Sequence, residues 1–565
     1  MNKKALNHAR SPSERREALR MALQTFSHDD INLHDYEMSL GADRALCLNL
    51  GYVLGSTSPR AEEISLICEC LIHVYSCSSE HRRRSFWGLG EELVPLLVRV
   101  LMVFLPADLG TKEEHDALPV LQILRIYAKL DYAKSFLIRY NCGAWIAQLV
   151  KYILADLEQR SRLISTKTFT EILGLIKDLS FRSHTTDKEL LLQTEGGIFQ
   201  NLLLSCCELQ VDSNLTLLEW FTALIWNLVL DNSVCTLLLN IKDKSAHPIV
   251  AALLKILSSD VICTGKQSVL LTKTRRNATS ALGNILSDPR NGALLFPSET
   301  TAKSFAILPT LMKLVEKDSD SIVRRRAMKT LRCIASSTDP NIQICIAKEQ
   351  VAVFLVDTIA RNVSQDDDND KDMQIQACQT VNLLVEAFED SDWPSLEIAI
   401  TQRIETTNDT ELTIAACECL VECVLRSPWR RGSSCFSEMF WKRLETAASV
   451  SKETHDCIAK LLLQLIKIER KAGSVASSGQ PSPLTCPNVV NILTALISDS
   501  GPNSDETRNI ALEVILILVQ DDLNRKPLAE NEGLLSGLVN LCLLQPDPKT
   551  KYLAKQVILD LVPEL

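Results

Sequence analysis

The sequence predicts an all-α fold built as a stacked array of helical repeats, and three observations predict it. Apolar residues recur at helical spacing in segment after segment, separated by short polar breaks, and no stretch alternates long enough to argue for a sheet. A chain of 565 residues is too long for one compact core, so it either splits into domains or extends its core end to end. The C-terminal region also repeats itself: within 505–565, Ala511, Ile515 and Leu518 return as Ala554, Ile558 and Leu561, 43 positions later. A purely helical unit of that size cannot bury its apolar faces alone and must stack on neighbours.

That unit sets the pattern for the chain. It has a small residue at Ala511, apolar positions at Val514, Ile515 and Leu518, then Asp521, Asn524-Arg525 and Leu528. A break follows at Gly533, and then Leu538, Val539 and Leu541. Alanine lets two helices approach closely, and Gly533 is expected to end the short helix in left-handed backbone. The pattern resembles the armadillo repeat, a three-helix unit of about 40 residues. The resemblance implies a right-handed α-α superhelix, an armadillo/HEAT-like solenoid, whose third helices line a surface for protein partners.

In chain order, residues 1–16 are expected to be a flexible basic tail, with Lys3, Lys4, Arg15 and Arg16 as a candidate nuclear-localisation patch. Residues 17–470 are expected to be helical repeats. Segments 45–50 and 64–74 begin them, and Gly88 and Gly90 break the chain before the apolar run 93–105. From Leu118 the pattern sharpens. Residues 131–137 read as a short helix closed at 141–143, and 187–195 as another closed by Gly196-Gly197. Residues 220–231 read as a third helix. In 276–291, Ala278, Leu282, Ile285, Asp288 and Asn291 match Ala511, Ile515, Leu518, Asp521 and Asn524. A further copy carries Ala327, Leu331 and Ile334, and weaker ones lie near Ala377, Ala416 and Lys460. About nine or ten repeats are expected.

Surplus residues between anchors are expected in loops. Residues 361–372 read as an acidic loop, 427–435 as a turn with a basic tip, and 471–488 as a Ser/Pro/Gly-rich loop or linker. That linker would set off 489–565 as a C-terminal block of repeats.

Composition and motifs exclude several function classes. With 70 acidic against 60 basic residues the net charge is −10, which disfavours non-specific nucleic-acid binding. The 19 cysteines sit in apolar helical faces, as at Cys68 and Cys70 or Cys417, Cys419 and Cys423, and are expected to be free core thiols in a reducing compartment. The start, Met1-Asn2-Lys3-Lys4, is not a signal-peptide pattern, and 93–105 is interrupted by Arg99 and too short for an integral membrane segment. Cytoplasm or nucleus is the expected location. No phosphate-binding glycine loop, dinucleotide fingerprint or nucleophile elbow is present. His28 and His34 lack a zinc spacing, and Asp366, Asp368, Asp370 and Asp372 lack a calcium loop's turn glycine and last glutamate. No catalytic residue, metal or cofactor is therefore expected, and the chain is read as not an enzyme.

The resemblance implies where partners bind. In nuclear-import adaptors of this fold, tryptophan and asparagine stand four residues apart on third helices, and the asparagines grip an extended peptide. Asn227 and Asn284 match the asparagine position, with Asn382 and Asn49 in weaker copies, but the tryptophan position holds Ala223, Ser280, Cys378 and Ala45. Arg276, Arg325 and Lys329 are expected on two adjacent third helices, thickened by Arg275, Arg324, Arg326 and Arg332. Such a strip would bind an extended acidic or phosphorylated segment, since the planar guanidinium pairs carboxylate or phosphate in a fork. The competing expectation is exposed ion pairing with Glu316, Asp318 and Asp320. A protein-binding scaffold is the function expected, and a nuclear-transport adaptor or an Hsp70 chaperone cofactor of armadillo type is the alternative.

Overall fold

The computed structural model describes residues 11–26, 42–54, 61–76, 90–104, 117–140, 144–159, 167–193, 198–208, 215–239, 248–259, 265–288, 291, 307–337, 342–343, 346, 350–361, 368–426, 436–472, 482–499 and 504–562. Among these residues there are helices and turns and no strand, as the helical spacing requires. The chain forms two units that meet in sequence near residue 290.

The first unit contains α1 (Pro12–Phe26), α2 (Ala42–Leu54), α3 (Ala61–Ser76), α4 (Gly90–Phe104), α5 (Ala117–Ala128), α6 (Asp131–Arg139) and α7 (Ala144–Gln159). It continues with α8 (Lys167–Ser180), α9 (Thr185–Gln193), α10 (Ile198–Cys207), α11 (Leu215–Leu228), α12 (Asn232–Leu239), α13 (Pro248–Leu257) and α14 (Lys266–Leu286). The second unit contains α15 (Ile307–Lys317), α16 (Ser321–Ala335), α17 (Ala352–Ala360), α18 (Asp368–Leu383), α19 (Trp393–Thr406), α20 (Thr410–Arg426) and α21 (Glu438–Val450). It ends with α22 (His455–Ala472), α23 (Pro487–Ser498), α24 (Ser504–Leu518), α25 (Asp522–Ala529), α26 (Glu532–Leu544) and α27 (Pro548–Leu561).

Each unit is layered. In the first, α1, α3, α5, α8, α11 and α14 pack side by side as an inner row, while α7, α10 and α13 form an outer row and the short helices α6, α9 and α12 pack on one another as a third row. In the second, the inner row is α16, α18, α20, α22, α24 and α27, and the outer row is α17, α19, α21, α23 and α26. Small anchor residues make this spacing possible: Ala278, Ala327, Ala377, Ala416, Ala511 and Ala554 are all fully buried on inner helices. The inner rows hold twelve helices among the described residues, two or three more than the repeats expected from the sequence.

Polar groups tie one repeat to the next. Lys188, 3% exposed, reaches from α9 to donate to the Asn227 carbonyl at 2.8 Å and pairs with Asp231 at 2.6 Å. Arg403 on α19 donates to the Ile359 carbonyl at the end of α17, 2.9 Å away. A cation there satisfies carbonyls that have no partner within their own helix. The described cysteines are free thiols, mostly buried, and burial drives Cys206 and Cys419 well above their ordinary values, as inert core residues require. Among the described residues no single helix is long and apolar enough to cross a membrane.

Several sequence expectations are corrected. The tail does not extend to residue 16: Ser11 and Glu14 form a capping box that starts α1 at Pro12, and Arg15 and Arg16 pair with Glu63 and Glu62. Lys3 and Lys4 lie outside the described residues, as do the histidine group, the closures at 141–143 and 196–197, and the 427–435 turn. The acidic loop is shorter than expected, because Asp368 to Asp372 open α18, where acids favour a helix N-terminus. Gly533 does not end a helix: Asn531 caps α26 by accepting from the Leu534 amide at 2.8 Å, and Gly533 lies inside its first turn.

The 471–488 segment is the largest correction. Residues 473–481 lie outside the described set, but Ser482 is buried, Pro483–Thr485 form a 3-10 turn and α23 begins at Pro487. The Ser482 amide donates to Asn524 Oδ1 at 2.7 Å, and its hydroxyl donates to Glu469 Oε2 at 2.7 Å. Asn524 in turn donates to the Leu518 carbonyl at 3.3 Å. Packing of α21 on α23 and of α22 on α24 runs straight across this segment, so it does not divide the second unit. Replacing Asn524 with leucine is expected to cost about 3 kcal/mol, because it orphans a buried amide and a buried carbonyl together. Thermal melts and proteolysis within 473–487 check this.

Candidate functional site

A cleft of about 390 Å³ lies on the inner row of the first unit. Three helices build it: α8 supplies Lys177 and Asp178, α11 supplies Glu219, Ala223, Trp226 and Asn227, and α14 supplies Asn277. Lys129, Lys134 and Phe181, from the turns and helices alongside, complete the wall.

Behind Lys177 and Asp178 of the wall stands a cluster around Trp220. The Arg125 guanidinium lies 4.2 Å from the Trp220 ring centre and Lys177 Nζ lies 5.5 Å from it. Arg125 is held there by Asp178 at 2.8 Å and Glu171 at 3.0 Å. Gly174 makes the arrangement possible, since a Cβ there would stand 2.6 Å from Trp220 Cζ3. At the far edge Phe181 has Lys134 and Arg182 over its ring, and Arg182 adopts a φ of 55°, rare for a residue with a side chain.

The cleft's lining carries one more cation than anions: Lys129 is exposed, Lys134 is buried and donates to the Phe181 carbonyl, and Lys177 is half-buried and 3.2 Å from Asp178, with Glu219 beside them. Burial raises the Glu219 carboxyl above its ordinary value, opposed by Lys177, Lys273 and a hydrogen bond from Asn277.

The expected site residues separate into distinct surroundings. Asn227 lines the cleft but is 3% exposed, and its Nδ2 donates to the Lys177 carbonyl and to Ser180 Oγ, both at 3.2 Å. It therefore holds α11 against α8 instead of presenting its amide to a partner. Asn284 on α14 and Asn382 on α18 are half-buried, and each has one side-chain atom, Nδ2 and Oδ1 respectively, with no hydrogen-bond partner among the described residues. Asn49 is half-buried on α2. Arg276 is half-buried on α14 in the first unit, whereas Arg325 and Lys329 lie on α16 in the second.

The second unit's arginines are largely committed. Arg324 donates to both carboxylate oxygens of Asp370 at 2.8 and 2.9 Å, Arg325 lies 3.6 Å from Asp372, and Arg332 donates to Gln379 at 2.7 Å. These partners stand on α18, not at Glu316, Asp318 and Asp320. Asp320 instead caps α16 by accepting from the Val323 amide, and Asp318 offers its carbonyl to Arg324. Lys329 is exposed.

Trp220, Trp226, Lys129 and Lys177 were missed by sequence reasoning. The signal was present, since two tryptophans fall within seven residues of α11, but neither stands four positions before an asparagine of the expected pattern. Among the described residues no group of three or more histidine, cysteine or acidic side chains could hold a metal.

No protein-family model matches the chain, and no curated protein matches it. Solved structures do. A structure from a study of the phosphorylation switch controlling the interaction between cadherin and beta-catenin aligns over 99% of this chain and 99% of its own, at 12% identity and a TM-score of 0.56. The fold is of the armadillo-repeat type. A designed armadillo repeat protein in complex with a (KR)4 peptide aligns over 51% of this chain and 98% of its own, at 15% identity and a TM-score of 0.37. An engineered protein aligns over 52% of this chain and 97% of its own, at 14% identity and a TM-score of 0.38. In armadillo terms the cleft lies on third helices, and the inner rows of both units are third-helix rows.

Proposed function

We propose that the chain is a non-catalytic protein-binding scaffold that holds an extended acidic or phosphorylated segment of a partner against the third helices of its first unit. The observation that carries this reading is the cleft over α8, α11 and α14, where Lys129 and Lys177 flank Trp226 and Asn277. An extended segment laid across several helices meets such a row at regular intervals, with cations selecting carboxylate or phosphate and the indole covering apolar stems. The structural neighbour from the cadherin and beta-catenin study supports the phosphorylated version, since that interaction is under a phosphorylation switch.

The alternative, a nuclear-transport adaptor for basic segments, is less favoured by the same residues. Lys129 and Lys177 would repel a basic cargo, and Trp226 adjoins Asn227 rather than preceding it by four. The test is fluorescence anisotropy with extended peptides rich in glutamate, phosphoserine or lysine. Wild type is expected to prefer the two acidic peptides, and Lys129→Glu to weaken both by about 10-fold, a change of about 1.4 kcal/mol. Equal binding of acidic and basic peptides, or none by either, would contradict the proposal.

A further inference from the structure

The last two helices of the second unit present a face that the preceding repeat buries. Residues of α24 and α27 correspond at an offset of 43, and those of α23 and α26 at an offset of 45. On α24 and at the residue after it, Arg508, Leu512, Ile515 and Val519 are at most 7% exposed, and α27 packs on α24. Their counterparts on α27 are Lys551, Lys555, Ile558 and Val562, of which Lys555 is exposed and Val562 is 54% exposed. On α23, Ile497 is 1% exposed, and its counterpart Cys542 is half-buried beside Val539 at 46% and Leu543 at 69%.

The face is therefore apolar on α26 and at the end of α27, and cationic between. Lys551 and Lys555 make no ion pair among the described residues, and both act on the Cys542 thiol, opposing the rise that its burial causes. A further copy of the same repeat is a poor occupant, since it would bury Lys555 where Leu512 is fully buried. Beside these cations the face exposes large apolar side chains, Val539, Leu543 and Val562.

We infer that this face docks an amphipathic helix of a partner protein, whose apolar side covers Val539, Leu543, Ile558 and Val562 and whose carboxylates meet Lys551 and Lys555. The proposal concerns a different surface from the first-unit cleft and does not depend on it. Helix-in-groove recognition supplies the geometry, with anchors at i, i+3, i+4 and i+7.

The probe is a fluorescein-labelled amphipathic peptide of about 15 residues with leucine on one face and glutamate beside it, compared with a copy carrying lysine for glutamate. Anisotropy titrations use the full chain, and alkylation of Cys542, mapped by mass spectrometry, reports occupancy at the face itself. The glutamate peptide is expected to bind and to protect Cys542. The double reversal Lys551→Glu and Lys555→Glu is expected to weaken it by about 10-fold and to transfer preference to the lysine peptide. The charge-reversed chain should still melt like wild type, since neither lysine is buried. Binding that ignores the reversal, binding that leaves Cys542 reactive, or a dimer formed through this face would each overturn the inference.

Discussion

Replacing Gly174 with valine is expected to lower the stability of the first unit by about 3 kcal/mol and to disturb the packing of α5, α8 and α11 beside the cleft. An added Cβ would stand 2.6 Å from Trp220 Cζ3, and 2.9 Å from both Trp220 Cε3 and Arg125 Cζ. Neither neighbour can swing aside cheaply, because Arg125 lies over the indole and is itself held by Asp178 and Glu171. Two effects compete in the milder Gly174→Ala change. Alanine gains up to about 1 kcal/mol of helix propensity, whereas the overlap costs about 1–3 kcal/mol, so a net loss is expected there as well. Urea unfolding followed by tryptophan emission measures both. A Trp220→Leu change in the Gly174→Ala background should recover most of the loss, because it removes the atoms that collide. Recovery of nothing would mean that the glycine serves some other purpose.

A second large effect is expected from Leu512→Lys, which gives α24 the residue that Lys555 supplies at the matching position of α27. Leu512 is fully buried between α24 and its neighbours. Truncating such a leucine costs about 2–5 kcal/mol, and an ammonium with no partner adds a desolvation penalty. The chain has a cheaper response than burying the charge, which is to release α25 to α27 from α24. The observed cost should therefore settle near the free energy of undocking one repeat, about 4 kcal/mol, not at the larger sum.

How much was legible in the sequence follows from which forces are local. Helical spacing and the buried alanines from Ala278 to Ala554 express packing against the next helix, and they could be read directly. The corrections concern partners one repeat away. Ser482 sits in a polar, proline-rich segment whose composition suggests a loop, yet its amide is satisfied by Asn524, 42 positions on. Asp370 and Asp372 looked like loop acids because nothing local shows that α18 begins at Asp368, and only on that helix do they face Arg324 and Arg325. Gly533 was given a backbone role, but its neighbours explain it better: a Cβ there would sit 3.3 Å from both Asn531 Oδ1 and Thr494 Cγ2. For the candidate site, spacing located Asn227 on the right helix without revealing that its amide turns inward to Lys177 and Ser180. Beside it Trp220, Arg125 and Gly174 meet from three helices, and the cleft itself is lined from α8, α11 and α14, which no single segment of sequence carries.

The most direct test of repeat-on-repeat burial is native-state hydrogen exchange on Leu512→Lys beside wild type. If each repeat hides its apolar side only against its neighbours, protection should fall across residues 504–562 and persist in α20, two inner helices away. Loss spread evenly through the second unit, or no loss at all, would contradict it.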